Sequence, residues 1–320
     1  MKAKQLRSSL LLVLTAGIWG VAFVAQTSGG DAVGPFSFNF VRFIIGSAVL
    51  LPVIGVLDKT GLSTRRPETK EDRKKLWISG IMVGIALFLA ANAQQLGIYL
   101  GAPVSKAGFL TALYIILVPI LGIFIKKKCG WNIWLGVGIS VVGLYFLCMS
   151  GGFGFQLMDL ALMASAFLFS IQILLIDHYS PQVDPVRLSS IQFLVCGLLS
   201  AIPAFAVDVP GSGGFGEWID AFASWEAWIP ILYAGVLSSG VAYTLQVVAQ
   251  PGLNPTIASL IMSFEAVFGS LAGWLLLKQT MSTREIFGCI LMFTAIVIAQ
   301  LPLPTIADRG EKLTGQTGQT

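Results

Sequence analysis

Ten stretches of the chain are apolar over about twenty residues, with polar clusters between them. They fall near residues 8–28, 35–57, 76–97, 102–125, 131–150, 157–177, 186–207, 228–250, 255–277 and 285–302. A helix needs about 20 mostly apolar residues to cross the hydrocarbon core of a bilayer. In lipid the backbone must satisfy its own hydrogen bonds, so each run is predicted as a helix. Two links are short: the third and fourth runs meet at a turn around Gly101 and Pro103, the eighth and ninth at one around Pro251 and Pro255. The run LLLVLTAGIWGVAFVAQ after MKAKQLR has no small-x-small cleavage pattern behind it and reads as a retained first helix.

Composition leads to the same solvent. Of 320 residues, 55% are hydrophobic and 11% charged, against roughly 25% charged in an average soluble domain. The expected class is an all-α integral membrane protein. A net charge of +4 does not point to nucleic acid, because the basic residues cluster as a membrane would arrange them. With the N-terminus placed in the cytoplasm, sixteen of the twenty Lys and Arg residues fall on the cytoplasmic side, most densely in DKTGLSTRRPETKEDRKK (58–75). Only Lys106, Lys278 and Arg284 face outward, and Arg42 lies in the membrane. The positive-inside rule then predicts a multi-pass protein of the cytoplasmic membrane with both termini inside.

The pattern repeats itself after about 150 residues. GPFSFNFVRFIIGSAVLLP resembles DPVRLSSIQFLVCGLLSAIP, matching Pro35 to Pro185, Phe43 to Phe193 and Arg42 to Gln192. With one residue inserted, Ala91, Gln95, Ala107 and Lys127 match Ala242, Gln246, Ala258 and Lys278. The expected units are residues 1–150 and 151–303, five spans each, followed by a polar, disordered tail over 304–320. An odd number of spans per unit means that the second copy enters the bilayer from the other side. The seven basic residues after the second span and the acidic Asp208, Glu217, Asp220 and Glu226 after the seventh agree with that inversion. Inverted repeats underlie many secondary transporters. Within the acidic loop, Trp218, Phe222 and Trp225 of EWIDAFASWEAW (217–228) are spaced as an aromatic anchor or a short helix on the outer interface.

Several motifs now carry a resemblance: IWGVAF (18–23), FVRFIIG (40–46), FLTALYIILVPILGIF (109–124) and IASLIMSFEAVFGSLAGWLLLKQ (257–279). The chain resembles the ten-helix EamA-type permeases of the drug/metabolite transporter superfamily over roughly residues 8–302. That resemblance implies transport of small solutes, often metabolite export. It also implies a central cavity lined by the first four helices of each half, with the fifth and tenth peripheral. Where the family pattern has Glu-Pro, this chain has Glu265-Ala266, so the proline that would kink the helix is missing.

Polar residues within spans are the candidates for chemistry, because such groups face a bundle interior or a wet cavity. Asn92, Gln95 and Tyr99 share one face of the third span, and Tyr243, Gln246 and Gln250 share the matching face of the eighth. These stripes read as cavity lining or as hydrogen bonds between helices. Arg42 costs roughly 2.5–3.5 kcal/mol in a bilayer. It either points into the cavity, on a face shared with Asn39, and attracts a carboxylate, or snorkels to headgroups and helix ends. Glu265 corresponds to Tyr114 of the first half. It is the candidate for proton coupling, for a pair with Arg42 or Lys106, or for a structural hydrogen bond. Trp19 and Gln172 lie on the first helices of the two halves, where they touch solute or pack. Lys106 reads as an interfacial snorkel. The stripes Ser259, Ser263, Ala266, Ser270, Gly273 and Gly136, Ser140, Gly143 read as close helix packing.

Four dispersed cysteines without a C-x-x-C and a single histidine, His178, give no basis for a metal site, and no cofactor is implied. No nucleotide-binding G-x-x-x-x-G-K-[ST] loop occurs. The expected partners are a small-molecule solute, a proton and bilayer lipid. A membrane enzyme acting on lipid or isoprenoid substrates is the alternative, and it would need clustered acids or histidines at the interface.

Overall fold

The computed structural model describes residues 3–63, 65–127, 129–148, 156–277 and 282–301. The predicted tail (304–320) and Lys278 lie outside them. The described residues form helices α1 (Ala3–Val33), α2 (Pro35–Lys59), α3 (Lys70–Tyr99), α4 (Val104–Ala112 and Tyr114–Phe124) and α5 (Trp131–Cys148). The second half supplies α6 (Leu157–Tyr179), α7 (Pro185–Pro203), α8 (Trp225–Ala249), α9 (Pro255–Met262 and Glu265–Leu277) and α10 (Thr283–Gln300). Nine stretches among the described residues are long and apolar enough to cross a membrane, and the apolar helix Trp131–Leu147 is shorter.

The molecule is apolar outside and polar within. Phe124, Trp225 and Leu157 are among the most exposed side chains, whereas Arg42, Asn39, Gln95, Gln192 and Gln246 are buried. Hydrocarbon is the solvent that makes this distribution stable.

Local signals set the helix ends. Thr69 and Asp72 form a reciprocal capping box, so α3 starts at Lys70 rather than near residue 76 and the link after α2 is shorter than predicted. Gly34, at φ 89°, alone joins α1 to α2, and Pro35 then occupies the first turn, where a missing N–H costs nothing. Pro185 does the same for α7, whose N-cap Asp184 accepts the Arg187 N–H.

Helices pair across the repeats. α2 packs along α7, with Ser47 Oγ donating to the Ser190 carbonyl at 2.9 Å and Phe43 stacked on Phe193 at 6.1 Å. α3 packs on α6 and α7, α1 on α8 and α9, and α5 on α10. The α5–α10 seam depends on small residues. A Cβ on Gly288 would lie 2.7 Å from the Gly143 carbonyl oxygen, so only glycine permits that approach.

Both ends of the α2–α7 pair are tied, and the ties are repeat counterparts. Asp208, at the end of the π-helical stretch Ala204–Asp208 that continues α7, accepts from the Ser37 N–H at 2.6 Å and from its Oγ at 2.8 Å. One repeat away, Asp58 at the end of α2 accepts from Arg187 at 2.6 Å through both oxygens. Each aspartate thus grips the third residue of the other repeat's helix. Trp218 adds to the first tie by donating to Ser37 Oγ at 2.8 Å. The aromatic loop therefore does more than anchor: Trp218 is buried in the short helix Phe215–Asp220 while Trp225 remains exposed.

α4 and α9 are each interrupted at the equivalent point. The breaks fall at Leu113, just before Tyr114, and at Ser263–Phe264, just before Glu265. The second break corrects the expectation from the missing proline. Ser263 Oγ donates to the Leu260 carbonyl at 2.8 Å, and the Phe264 and Ala266 N–H groups bond three residues back rather than four. Tightened turns of this kind replace the proline.

Candidate functional site

A cavity lies at the centre of the bundle, with about 30 Å³ in which the centre of a water molecule can sit. Both repeats line it, and several lining residues are repeat counterparts: Trp19 with Phe169, Phe23 with Ile173, Thr111 with Met262, and Tyr114 with Glu265. The helix breaks in α4 and α9 place the last pair. Tyr114 donates its hydroxyl to Glu265 Oε1 at 3.2 Å, and both side chains are buried.

Arg42 enters from α2. Its guanidinium lies 4.5 Å from the centre of the Phe43 ring and 5.4 Å from that of Phe38. Its Nε donates to Asn39 Oδ1 at 2.8 Å. Among the described residues no carboxylate lies within 4 Å of it. Burying an unpaired cation is costly, so an arginine arranged this way, facing a cavity, is suited to an anionic group brought from outside.

Aromatic rings form one wall. Tyr243 lies 4.5 Å from Trp19, 6.1 Å from Phe193 and 6.3 Å from Phe43, ring centre to ring centre. Tyr243 and Ser238 come from an 11-residue π-helical stretch of α8, Tyr233–Tyr243. Amides form another wall. Gln246 Nε2 donates to Gln250 Oε1 at 3.3 Å and stands 3.5 Å from Gln172 Oε1. Gln26 Oε1, Gln172 Nε2 and Gln246 Oε1 are buried at the cavity without a partner among the described residues. An unpartnered buried polar atom costs about 1–3 kcal/mol, a cost that water or a polar solute in the cavity would relieve.

Of the residues singled out from the sequence, Trp19, Arg42, Tyr114, Gln172, Tyr243, Gln246 and Glu265 meet at this cavity. Asn39, Asn92 and Gln95 do not line it. They stand behind the wall, with Gln95 Nε2 donating to the Gln26 carbonyl at 2.7 Å. Tyr99, the last residue of α3, is 49% exposed and takes no part. Glu265 pairs with neither Arg42 nor Lys106. Instead Lys106 reaches Asp159 at the start of α6 at 2.8 Å, so it is tied across the repeats rather than snorkelling. Sequence reasoning missed Gln26, Gln94 and Thr111. Gln94 donates to Thr111 Oγ1 at 3.3 Å. Gln94 sits one residue from the Asn92–Gln95–Tyr99 stripe, and only the packing of α3 reveals which neighbour faces inward.

Two successive segments, residues 6–149 and 156–300, match the model of the EamA-like transporter family. The chain belongs to the EamA-like transporter family. It is 30% identical over 305 residues to an uncharacterized transporter of Archaeoglobus fulgidus, spanning 93% of this chain and 87% of that relative. An uncharacterized transporter of Synechocystis is 26% identical, spanning 92% and 89%. A solved crystal structure shares the fold with a TM-score of 0.71 at 20% identity, covering 92% of this chain and 96% of the other. The EamA repeats end where the helices do, at α5 and α10, and the cavity lies between them. The protein is a multi-pass membrane protein of a transporter family.

Proposed function

We propose that the protein is a secondary transporter that carries a small amphipathic solute bearing a carboxylate, an amino acid or a similar metabolite, across the cytoplasmic membrane. The observation that carries this reading is the chemistry of the cavity: one unpaired guanidinium, one carboxyl, an aromatic wall and unpartnered amides, supplied by both repeats. Arg42 receives the carboxylate, and the Trp19–Tyr243 wall takes the apolar part. The free amide atoms take the remaining polar groups. Alternating access at this cavity follows from the repeat: two similar halves exchange open and closed roles. Glu265, whose described hydrogen bond comes from the neutral Tyr114 hydroxyl, is the group that takes up and releases a coupling proton. The clustering of Lys and Arg at residues 59–75 supports termini on the cytoplasmic side.

Purified protein in proteoliposomes tests the reading. Counterflow of radiolabelled amino acids, with and without an imposed pH gradient, is expected to exceed that of empty vesicles and to respond to the gradient. Flux no greater than that of empty vesicles across neutral, aromatic and acidic amino acids would sink it.

A further inference from the structure

Behind Arg42 runs a buried chain of side chains that the cavity alone does not explain. Ser200 on α7, Asn92 on α3, and Asn39 and Arg42 on α2 are joined by successive hydrogen bonds. Asn92 Nδ2 donates to Ser200 Oγ and to the Phe88 carbonyl, both at 2.8 Å. Asn39 Nδ2 donates to Asn92 Oδ1 and to the Ala91 carbonyl, both at 3.1 Å. Asn39 Oδ1 then accepts from Arg42 Nε at 2.8 Å.

The direction of this chain is not a free choice. A backbone carbonyl only accepts, so the Phe88 and Ala91 oxygens require the amino side of Asn92 and Asn39. Each amide must therefore turn its own oxygen the other way, toward Asn39 in one case and toward Arg42 in the other. Three helices thus present one oriented acceptor to the inner nitrogen of the guanidinium. The Phe38 and Phe43 rings limit its tilt. Four N–H donors remain on the two terminal nitrogens, bonded to no described residue, at a cavity wall. Among the described residues the second repeat has no such chain. Gln192, opposite Arg42, is buried with no partner at either end among the described residues. Ser189, opposite Asn39, donates back to the Pro185 carbonyl of its own helix at 2.9 Å.

We infer that Asn39 is a positioning residue that fixes the terminal nitrogens of Arg42 as a single, one-sided carboxylate subsite in the cavity. The inference rests on the reading above that Arg42 meets the anionic end of the solute. A fixed fork binds a carboxylate through two parallel hydrogen bonds, whereas a swinging one must be ordered at each binding event. Asn39 touches no solute and acts only through Arg42.

Benzoate and its neutral isostere benzamide serve as probes, with affinities for the full-length protein in detergent measured by titration calorimetry. The wild type is expected to prefer benzoate at least tenfold. Asn39→Ala is expected to reduce that preference about tenfold while leaving benzamide affinity unchanged. Asn39→Asp keeps an acceptor for Arg42 Nε but adds a charge that neutralises the fork, and it is expected to abolish the preference. This variant also reads the subsite should the alanine variant fail to fold. A wild-type preference that both variants retain, or a parallel loss of both ligands, overturns the role of Asn39. No benzoate preference in the wild type overturns the anion role of Arg42 itself, which is the failure of the functional reading rather than of the positioning.

Discussion

Arg42 on α2 and Gln192 on α7 stand at equivalent positions of the two repeats, 150 residues apart. Both are buried. The arginine is held by Asn39 and faces the cavity, while the glutamine has no partner among the described residues. Tyr114 and Glu265 differ in the same way: one backbone position, a phenol in the first half and a carboxyl in the second. The register between the halves shifts from 150 to 151 residues between the α2–α7 and α3–α8 matches. The π-helical stretch of α8, which carries Ser238 and Tyr243 to the cavity, lies within that interval. The backbone symmetry serves the fold, and its breaking at a few side chains makes a polar site with distinct ends. Two identical halves would place the same residue at both members of each pair, whereas this cavity holds one arginine and one carboxyl.

The ties at the ends of α2 and α7 show the same division. Asp58 meets a guanidinium, and Asp208 meets a hydroxyl, a backbone N–H and, through Ser37, an indole. The geometry is shared, but one tie is ionic and the other is neutral on the donor side.

Five substitutions would break or sharpen this comparison. Arg42→Gln puts into the first repeat what the second already holds. Hydrogen bonds to a charged group contribute about 1.5–3 kcal/mol, so carboxylate affinity should fall roughly 10- to 100-fold, with folding preserved. Calorimetry beside a melting curve checks both. Glu265→Gln keeps an acceptor for Tyr114, so binding should change by less than about threefold by the same scale, a few tenths of a kcal/mol. Stimulation by a pH gradient should disappear, and gradient-driven flux equal to wild type would count against proton coupling. Asp58→Asn and Asp208→Asn should differ in thermal stability. The amide oxygen at 208 still accepts from Ser37, while the change at 58 removes the nearer of the two carboxylates that pair with Arg187 and leaves Asp184 at 3.3 Å, so the first variant should melt at the lower temperature. Equal melting points would mean that charge contributes little to the tie. An effect of opposite sign is expected for Gln192→Leu. Removing a buried amide that has no partner among the described residues should stabilise the protein by up to about 1–2 kcal/mol. A folded variant that loses flux would instead show that the amide acquires a partner during transport.

Much of the fold was legible because lipid imposes a coarse code. The apolar runs, the 150-residue repeat and the odd number of spans in each copy pointed to the architecture and its inversion before any packing was considered. Resolution was lost where a single helical step decides the outcome. Asn92, Gln95 and Tyr99 share a face, yet Asn92 and Gln95 meet other helices, Tyr99 is half exposed, and the cavity receives Gln94 instead. Cross-repeat partners such as Asp159 for Lys106 or Asp208 for Ser37 depend on which helix ends meet in space. No local pattern encodes that. The interruption before Glu265 was hidden for another reason: serine and tightened turns produced it where a proline was sought.

The packing of α2 on α7 and of α5 on α10 joins each helix to its own counterpart. Such a junction is isologous, each copy offering the surface that it also receives. Gly143 and Gly288 sit on the two sides of one seam, each closed against the carbonyl of the other. The chain thus has the geometry of an antiparallel dimer whose subunits share a single polypeptide. Within one polypeptide the two positions can hold different residues, Arg42 and Gln192, where a dimer of identical chains must carry the same residue twice.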